Sequence, residues 1–420
     1  PGGRGLHSAG SRRGRGKRLS GRKWIGGESM VGDWLPLRVA SYNVLAKCYA
    51  KQKHFTACKP EHLRWSERRA ALIEVIDELD ADVLCLQEVE DYDKFWQKEL
   101  GAKGYSGVYK KRNSDRKYDG CATFFRTAKF EKVDMRALEF DEVTSSDSEC
   151  LPDFATHNVA LLTVLRPRWR SGGCFCIANA HLFWDPSYEE LKLSQARALV
   201  RVAGEVSVSH GDIPIILAGD FNSVPESCVY KFFTSEASFI SAYAQVSSSA
   251  KGPARMDSPE TNEEAKELEG PKPRPSPASK GSREPQSAAS HAPALASPGK
   301  FIFARALNPD SPVFRPGGLE SEPPPPAVRG AGAERWSETG EPAFTNYRDI
   351  FNGAIDFIFY RGGSVDARAC LGMIGEADAR KEGGGLPNSR HPSDHLPIAV
   401  DLAITFGTQD GSDAGDGKGV

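Results

Sequence analysis

One design recurs along this chain: an apolar run of strand length that stops on a residue able to do chemistry. Residues 81–90, Ala-Asp-Val-Leu-Cys-Leu-Gln-Glu-Val-Glu, show it most sharply, with Glu88 at the end of the run. Such a run buries in a sheet, and a carboxylate where it ends can face a cleft while the strand fixes its position. Residues 37–43 end on Asn43, 174–181 on His181, and 214–220 on Asp220 with Asn222 two positions on. Residues 354–360 carry Asp356 near their start, and the run 398–404 follows Asp394 and His395. The expectation is a sheet core whose rim gathers these polar groups.

The intervening segments predict layers of both kinds. Leu72, Val75, Ile76 and Leu79 repeat at helical spacing and predict a helix over 65–79. Leu193, Ala196, Leu199, Val200 and Ala203 do the same for a helix over 191–206. Residues 158–165 and 174–180 flank an Arg- and Gly-containing loop and predict a hairpin. Five regions follow. Residues 1–33, rich in Arg, Lys, Gly and Ser, are expected to be a disordered basic arm, which is compatible with nucleic-acid binding or targeting. Residues 34–245 and 341–407 are expected to be the two parts of one domain, the catalytic one if the polar strand ends prove to form a site. Between them, 246–340 reads as a mostly disordered insertion: residues 251–300 contain no aromatic residue, valine or isoleucine, so they cannot offset the entropy of ordering through a core. Residues 408–420 are expected to be a flexible tail.

Charge and cysteine content narrow the function classes. The formal net charge is -2, so any attraction for nucleic acid must be local. A local patch exists: Lys110, Lys111, Arg112, Arg116 and Lys117 interleave with Tyr105, Tyr109 and Tyr118, a composition that suits phosphates and stacked bases or an ordinary charged loop. Nine widely spaced cysteines, several inside apolar runs, point to a reducing compartment and not to a disulfide framework. No stretch is long and apolar enough to span a membrane.

The chemistry-bearing residues share a preference. In Gly219-Asp220-Phe221-Asn222, the aspartate can hold a cation or a water and the asparagine can orient a water or phosphate oxygen; an Asx turn after a strand is the plainer alternative. His395 needs a carboxylate to fix its ring, and Asp356, from another strand, is the candidate. Glu88 ending so apolar a run needs solvent, a partner or a metal, and carboxylate oxygens suit magnesium. No HExxH, Cys/His zinc spacing, GxSxG elbow or Walker loop is present. Asn43, Glu88, His181, Asp220, Asn222, Asp356, Asp394 and His395 together read as a site for metal-assisted phosphoester hydrolysis.

Six strings then carry a resemblance: Ser-Tyr-Asn-Val-Leu-Ala at 41–46, Cys-Leu-Gln-Glu-Val at 85–89, Asn-Ala-His-Leu at 179–182, Leu-Ala-Gly-Asp-Phe-Asn-Ser-Val-Pro at 217–225, Gly-Ala-Ile-Asp-Phe-Ile-Phe-Tyr at 353–360, and Pro-Ser-Asp-His-Leu-Pro at 392–397. In this order they resemble the endonuclease/exonuclease/phosphatase family, and within it the CCR4-type deadenylases and nocturnin-like relatives. The resemblance implies a four-layered α/β sandwich, two packed mixed sheets flanked by helices. It implies hydrolysis dependent on magnesium, with manganese as a substitute, and Glu88 as the principal metal ligand. Asp220 and Asn222 would position water and phosphate, Asp356 would orient His395, His181 would contact the scissile phosphate, and Asn43 and Asp394 would support the metal site. Phe221 and Tyr347 are candidates for a base platform, and Lys110, Lys111 and Arg112 for holding the RNA. Three features depart from the pattern: Ala180 stands where threonine is usual, leucine-rich spacing is not seen in the residues ahead of the core, and the stretch between Asn222 and Asp356 is unusually long.

The expected activity is a 3′-5′ exoribonuclease shortening poly(A), with single-stranded RNA as partner, no membrane, and further protein partners through the arm or insertion. A nocturnin-like phosphatase on a phosphorylated nicotinamide dinucleotide, a phosphodiesterase on 2′,5′-linked or 2′,3′-cyclic RNA ends, and a non-catalytic RNA-binding scaffold are the alternatives. The expected compartment is the cytoplasm, with nucleus or organelle left open because a leader upstream of Pro1 would redirect the chain.

Overall fold

Two twisted sheets lie face to face, and every strand that the sequence pattern marks belongs to one of them. The computed structural model describes residues 18–19, 21–27, 34–144, 154–169, 173–250, 336–382 and 384–406, all of which fall in one compact unit. In chain order the strands are β1 Trp24–Gly26, β2 Leu35–Asn43, β3 Val83–Gln87, β4 Tyr105–Lys111, β5 Gly120–Arg126, β6 Phe130–Glu139, β7 Val159–Pro167, β8 Phe175–His181, β9 Ile215–Asp220, β10 Ile240–Ser241, β11 Asn346–Tyr347, β12 Asn352–Gly353, β13 Asp356–Arg361, β14 Val365–Leu371 and β15 Ile398–Ile404. One sheet has the order β1-β14-β15-β2-β3-β5-β4 and the other β10-β13-β9-β8-β7-β6, with β11-β12 as a separate ribbon. Each large sheet is mixed: β2/β3 and β8/β9 run parallel, and the other pairs antiparallel.

Strand periodicity assigns the layers. Successive side chains on a strand face opposite sides. Leu35, Leu37 and Val39 of β2, Val83 and Cys85 of β3, Phe175 and Ile177 of β8, Ile216 and Ala218 of β9, and Ile358 and Tyr360 of β13 therefore meet in the inner core. The alternate residues Cys176, Ala178, Leu217 and Phe359 face outward against the helix Glu189–Ser209, through Leu199, Val202 and Ala203. On the other side Ala40, Tyr42, Leu84 and Leu86 face the helix Trp65–Leu79, through Leu72, Val75, Ile76 and Leu79. Helix, sheet, sheet, helix are the four layers, as expected. Fully burying a side chain such as Leu72 contributes on the order of 2 kcal/mol.

The same parity continues to the rim. Asn43, Gln87, His181 and Asp220 each lie an even number of places beyond inward-facing apolar residues, and Asp356 two before Ile358. All of them therefore point between the sheets. Below the site Gln87 Nε2 donates to Asn179 Oδ1 at 2.8 Å, and Asn179 Nδ2 donates to the carbonyls of Leu86 at 3.2 Å and Ala122 at 2.9 Å, tying one sheet to the other.

The region boundaries need two corrections. Part of the expected disordered arm 1–33 is built into the fold: β1 pairs antiparallel with β14, Arg18 Nε reaches Glu74 at 2.6 Å, and buried Arg22 donates to the Gly372 carbonyl at 2.7 Å. An unpaired sheet edge and two carboxylates on the neighbouring helix supply partners that composition cannot show. The insertion expected over 246–340 is narrower, because the helix Ala242–Ala250 takes in its first residues and Trp336 bridges Pro342. Residues 251–335 and the tail 408–420 lie outside the described residues. Glu341, at the start of the second part, is buried; it accepts from Tyr230 Oη at 2.8 Å, and its carbonyl closes a turn with Ser337. Among the described residues no helix is long and apolar enough to cross a membrane.

Candidate active site

Asp220 is the meeting point. It pairs in register with His181 on one side and Asp356 on the other, so three strand ends deliver polar groups side by side. Its Oδ2 accepts from Asn43 Nδ2 at 3.0 Å and lies 3.6 Å from both His181 Nε2 and His395 Nε2. The Asn43 amide also donates to Glu88 Oε1 at 3.0 Å, so one side chain joins a carboxylate of each sheet. Glu88 Oε2 accepts from the Ala46 amide at 2.8 Å. Glu88 (φ 57°) and Asn222 (φ 47°) both occupy the left-handed region, where non-glycine residues are uncommon and function often resides.

His395 sits in a carboxylate clamp. Its Nδ1 lies 2.8 Å from Asp356 Oδ2, and Thr345 Oγ1 donates to the same oxygen at 2.6 Å while accepting from the Ile355 and Asp356 amides. Burial alone would lower the His395 pKa, but Asp356 and Asp220 outweigh it and hold the ring protonated. His181 is the opposite case: burial, then Arg112, His395 and Lys117, push its pKa well down and keep it neutral. Arg112 Nη2 lies 3.4 Å from His181 Nδ1, which leaves Nε2–H for the site interior. Burial, then Asp394 and Asp119, push the Glu88 carboxyl up to about 7, and burial together with Asp356 raises that of Asp220.

Such an excess of buried carboxylate fits a cation. Asp220, Asp356 and His395 place their polar atoms within 4.8 Å of one another, and the two carboxylates could hold a divalent metal with the protonated ring beside it. Asp356 Oδ1 is buried without a hydrogen-bond partner, an acceptor left over for such an ion. Glu88, expected as the principal metal ligand, lies outside this cluster and joins it through the Asn43 amide.

Other expected residues fall as follows. Asn222 does not share a strand face with Asp220, because the strand ends there: its amide nitrogen donates to Asp220 Oδ1 at 3.0 Å in an Asx turn, and its Nδ2 donates to the Leu182 carbonyl. Asp394 lies beside the site, its carbonyl accepting from Tyr347 N and its Oδ2 3.4 Å from Asn346 Nδ2. Phe221 is not a base platform; it is 1% exposed and packs on Phe233 and Phe359 in the outer core. Tyr347 is 2% exposed, its hydroxyl shared with Glu376 and Arg380, so it too has no free face. For Phe221, adjacent to Asp220, strand parity sends the ring the other way; Tyr347 is packed into the inner core. Lys110 pairs with Glu139 and Lys111 donates to the Ser114 carbonyl; of the three basic candidates only Arg112 reaches a site residue.

Thr345 and Asp119 join the site without having been expected there. Asp119, wholly buried, holds Arg112 Nε at 3.0 Å and accepts from Tyr49 at 3.0 Å. Its position one residue before a glycine-led strand is a signal of the same kind as the other rim residues give. Thr345 carries none.

Three comparisons agree with this geometry. The sequence pattern of the endonuclease/exonuclease/phosphatase family matches residues 40–395. Carbon catabolite repressor protein 4 homolog 4 of Arabidopsis thaliana is 27% identical over 410 residues, covering 90% of this chain and 80% of that protein. The CCR4-Not complex 3′-5′-exoribonuclease subunit Ccr4 of Schizosaccharomyces pombe is 24% identical, with 88% of this chain covered, and the chain spans only 49% of that protein's length. Among solved structures, that of ANGEL2, described as a 2′,3′-cyclic phosphatase, in complex with adenosine-2′,3′-vanadate, has a TM-score of 0.59 and 25% identity, covering 91% of this chain and 98% of that one.

Proposed function

Because this chain belongs to the endonuclease/exonuclease/phosphatase family, we propose that it is a metal-dependent phosphoesterase of RNA 3′ ends, opening a terminal 2′,3′-cyclic phosphate. The observation that carries phosphoester hydrolysis is the Asn43 amide joining Glu88 and Asp220 beside the His395–Asp356 pair. The cyclic end is favoured by the ANGEL2 structure, which this chain covers almost completely.

Asp220 and Asp356, with Glu88 across Asn43, would hold the cation. Bound there, magnesium or manganese offsets phosphate charge and polarises the phosphorus–oxygen bond. Water adds to phosphorus as one ring ester bond breaks, and the proton that Asp220 takes from the water passes to the departing oxygen. Asp220 orients the water and accepts its proton. His395, kept cationic by Asp356, stabilises the charge that develops on the phosphoryl oxygens, as does His181 through its Nε2–H. Arg112 fixes the His181 tautomer.

Poly(A) shortening is the second reading, favoured by the name of the fission-yeast relative. One assay separates the readings. The purified chain with magnesium receives an RNA ending in a 2′,3′-cyclic phosphate, the same RNA ending in a poly(A) tail with free hydroxyls, and a phosphorylated nicotinamide dinucleotide. Opening of the cyclic end, abolished by chelator, supports the proposal. A shortening ladder with the cyclic end intact replaces it with the deadenylase, and phosphate release from the dinucleotide alone replaces both.

A further inference from the structure

Among the large apolar side chains exposed on the described residues, Tyr118 combines 60% exposure with the absence of any ring contact. The exposed Trp169 and Phe154, by contrast, lean on other rings. Tyr118 precedes Asp119, which is fully buried. The chain thus turns from a solvent-facing ring to a residue in the wall of the active site within one step.

The loop 112–119 between β4 and β5 is built to hold that position. At its base the Arg112 amide donates to the Asp119 carbonyl at 3.0 Å, and the two side chains form an ion pair at 3.0 Å. At its crown Ser114 N donates to the Arg112 carbonyl, Arg116 N to Ser114 Oγ at 3.1 Å, and Lys111 Nζ to the Ser114 carbonyl at 2.9 Å. Arg112 is occupied by Asp119 and His181, but Lys111 and Arg116 are exposed. Lys117 lies 5.8 Å over the Tyr49 ring, and its charge is felt at His181. On a chain of net charge -2, this places cations on one lip of the phosphate site beside an uncovered aromatic face.

We propose that the 112–119 loop is a strand-binding lip: an unpaired base on the 5′ side of the reacting nucleotide stacks on Tyr118, while Arg116 and Lys117 neutralise the phosphates leading into the site. The inference rests on the RNA 3′-end reading above. A bare aromatic face and adjacent cations are the two components with which proteins hold single strands irrespective of sequence. A substrate whose 3′ end enters the site must leave it on the 5′ side, where such a lip is useful.

The test is binding of a fluorescent oligoadenylate of about ten nucleotides, a length within common single-strand site sizes, to the full chain with calcium in place of magnesium, read by anisotropy. Turnover on the same oligomer with a 2′,3′-cyclic end is measured separately with magnesium. Tyr118→Ala is expected to weaken binding roughly five- to hundredfold, and Tyr118→Trp to retain it. Arg116→Gln with Lys117→Gln is expected to reduce the slope of log affinity against log salt by roughly 1.4, about 0.7 for each phosphate that is no longer neutralised. Tyr118 is exposed, so its variants keep the core intact, and matched melting curves check this. Unchanged affinity in Tyr118→Ala overturns the lip even if the cyclic end is turned over. Tyr118-dependent binding without turnover of any RNA end overturns the proposed function and leaves the lip standing. No binding by the wild-type chain overturns both.

Discussion

Glu341→Gln should gain stability relative to the wild type as pH rises from 5 to 8, because it removes a buried carboxyl that the fold holds protonated. Burial pushes the Glu341 carboxyl from its ordinary 4.5 up to about 7, against the opposing hydrogen bonds of Ser241 and Tyr230. Between those values the folded state binds a proton that the unfolded state has released. Its contribution to stability is therefore complete below pH 4.5 and lost as pH rises through 7. The full difference of 2.5 units corresponds to about 3 kcal/mol at 1.36 kcal/mol per unit, and roughly 2–3 kcal/mol of it falls between pH 5 and pH 8. Glutamine keeps an acceptor for Tyr230 and does not titrate. Urea unfolding of both proteins at pH 5 and pH 8, without added metal, isolates the effect, because every other titrating group cancels in the difference. The variant should gain roughly 2–3 kcal/mol on the wild type between the two pH values. A difference that stays constant within about 0.5 kcal/mol, the scale of additivity errors, would refute the buried, protonated carboxyl.

Four other outcomes are expected. Asp356→Asn should lower kcat by on the order of a hundredfold with an unchanged circular dichroism spectrum, since the ring of His395 loses the charge that keeps it cationic; near wild-type turnover would remove the pair from the mechanism. Glu88→Gln should raise the magnesium concentration needed for half-maximal turnover by about tenfold or more, measured by titration after chelator treatment; an unchanged midpoint would separate Glu88 from the cation. Thr345→Val leaves the Ile355 and Asp356 amides without their acceptor, and should cost about 1–3 kcal/mol in denaturant unfolding. Gly219→Ala would place a Cβ 2.0 Å from the Ala180 carbonyl oxygen in the centre of a sheet, so it should abolish soluble expression or lower Tm by more than about 10 °C; a variant melting with the wild type would show that the β8/β9 register is wrong.

The site was legible because it is written in strand parity. Each apolar run commits one face to the inner core, and the polar residue that ends it, an even number of places on, must project into the gap between the sheets. Asn43, His181, Asp220 and Asp356 follow from that rule, and the structure joins them within hydrogen-bond or near-contact distance. The rule fails one residue to either side, which is why Phe221, adjacent to Asp220, goes into the outer core instead of the cleft. It fails also beyond the strand end, where Asn222 enters a left-handed turn. Thr345 was invisible because it acts from a two-stranded ribbon region with no apolar run of its own, and its value lies entirely in the partner it meets. The docked residues 18–19 and 21–27 were hidden for a related reason: an open strand edge and Glu74 and Glu78 supply partners that a basic, glycine-rich composition does not reveal.

The strand order has a consequence for synthesis. The last strand, β15, does not close the sheet at an edge but lies between β14 and β2, next to the strand made first in the core. His395 is delivered just ahead of it, and Asp220 and Asp356 come from opposite sides of residues 251–335. A chain emerging from the ribosome carries Asn43, Glu88, His181 and Asp220 long before it can assemble a working centre, and the slot between β14 and β2 must stay open until the end. The polar groups of the site therefore come together only in a late step, after β15 has entered its place between β14 and β2.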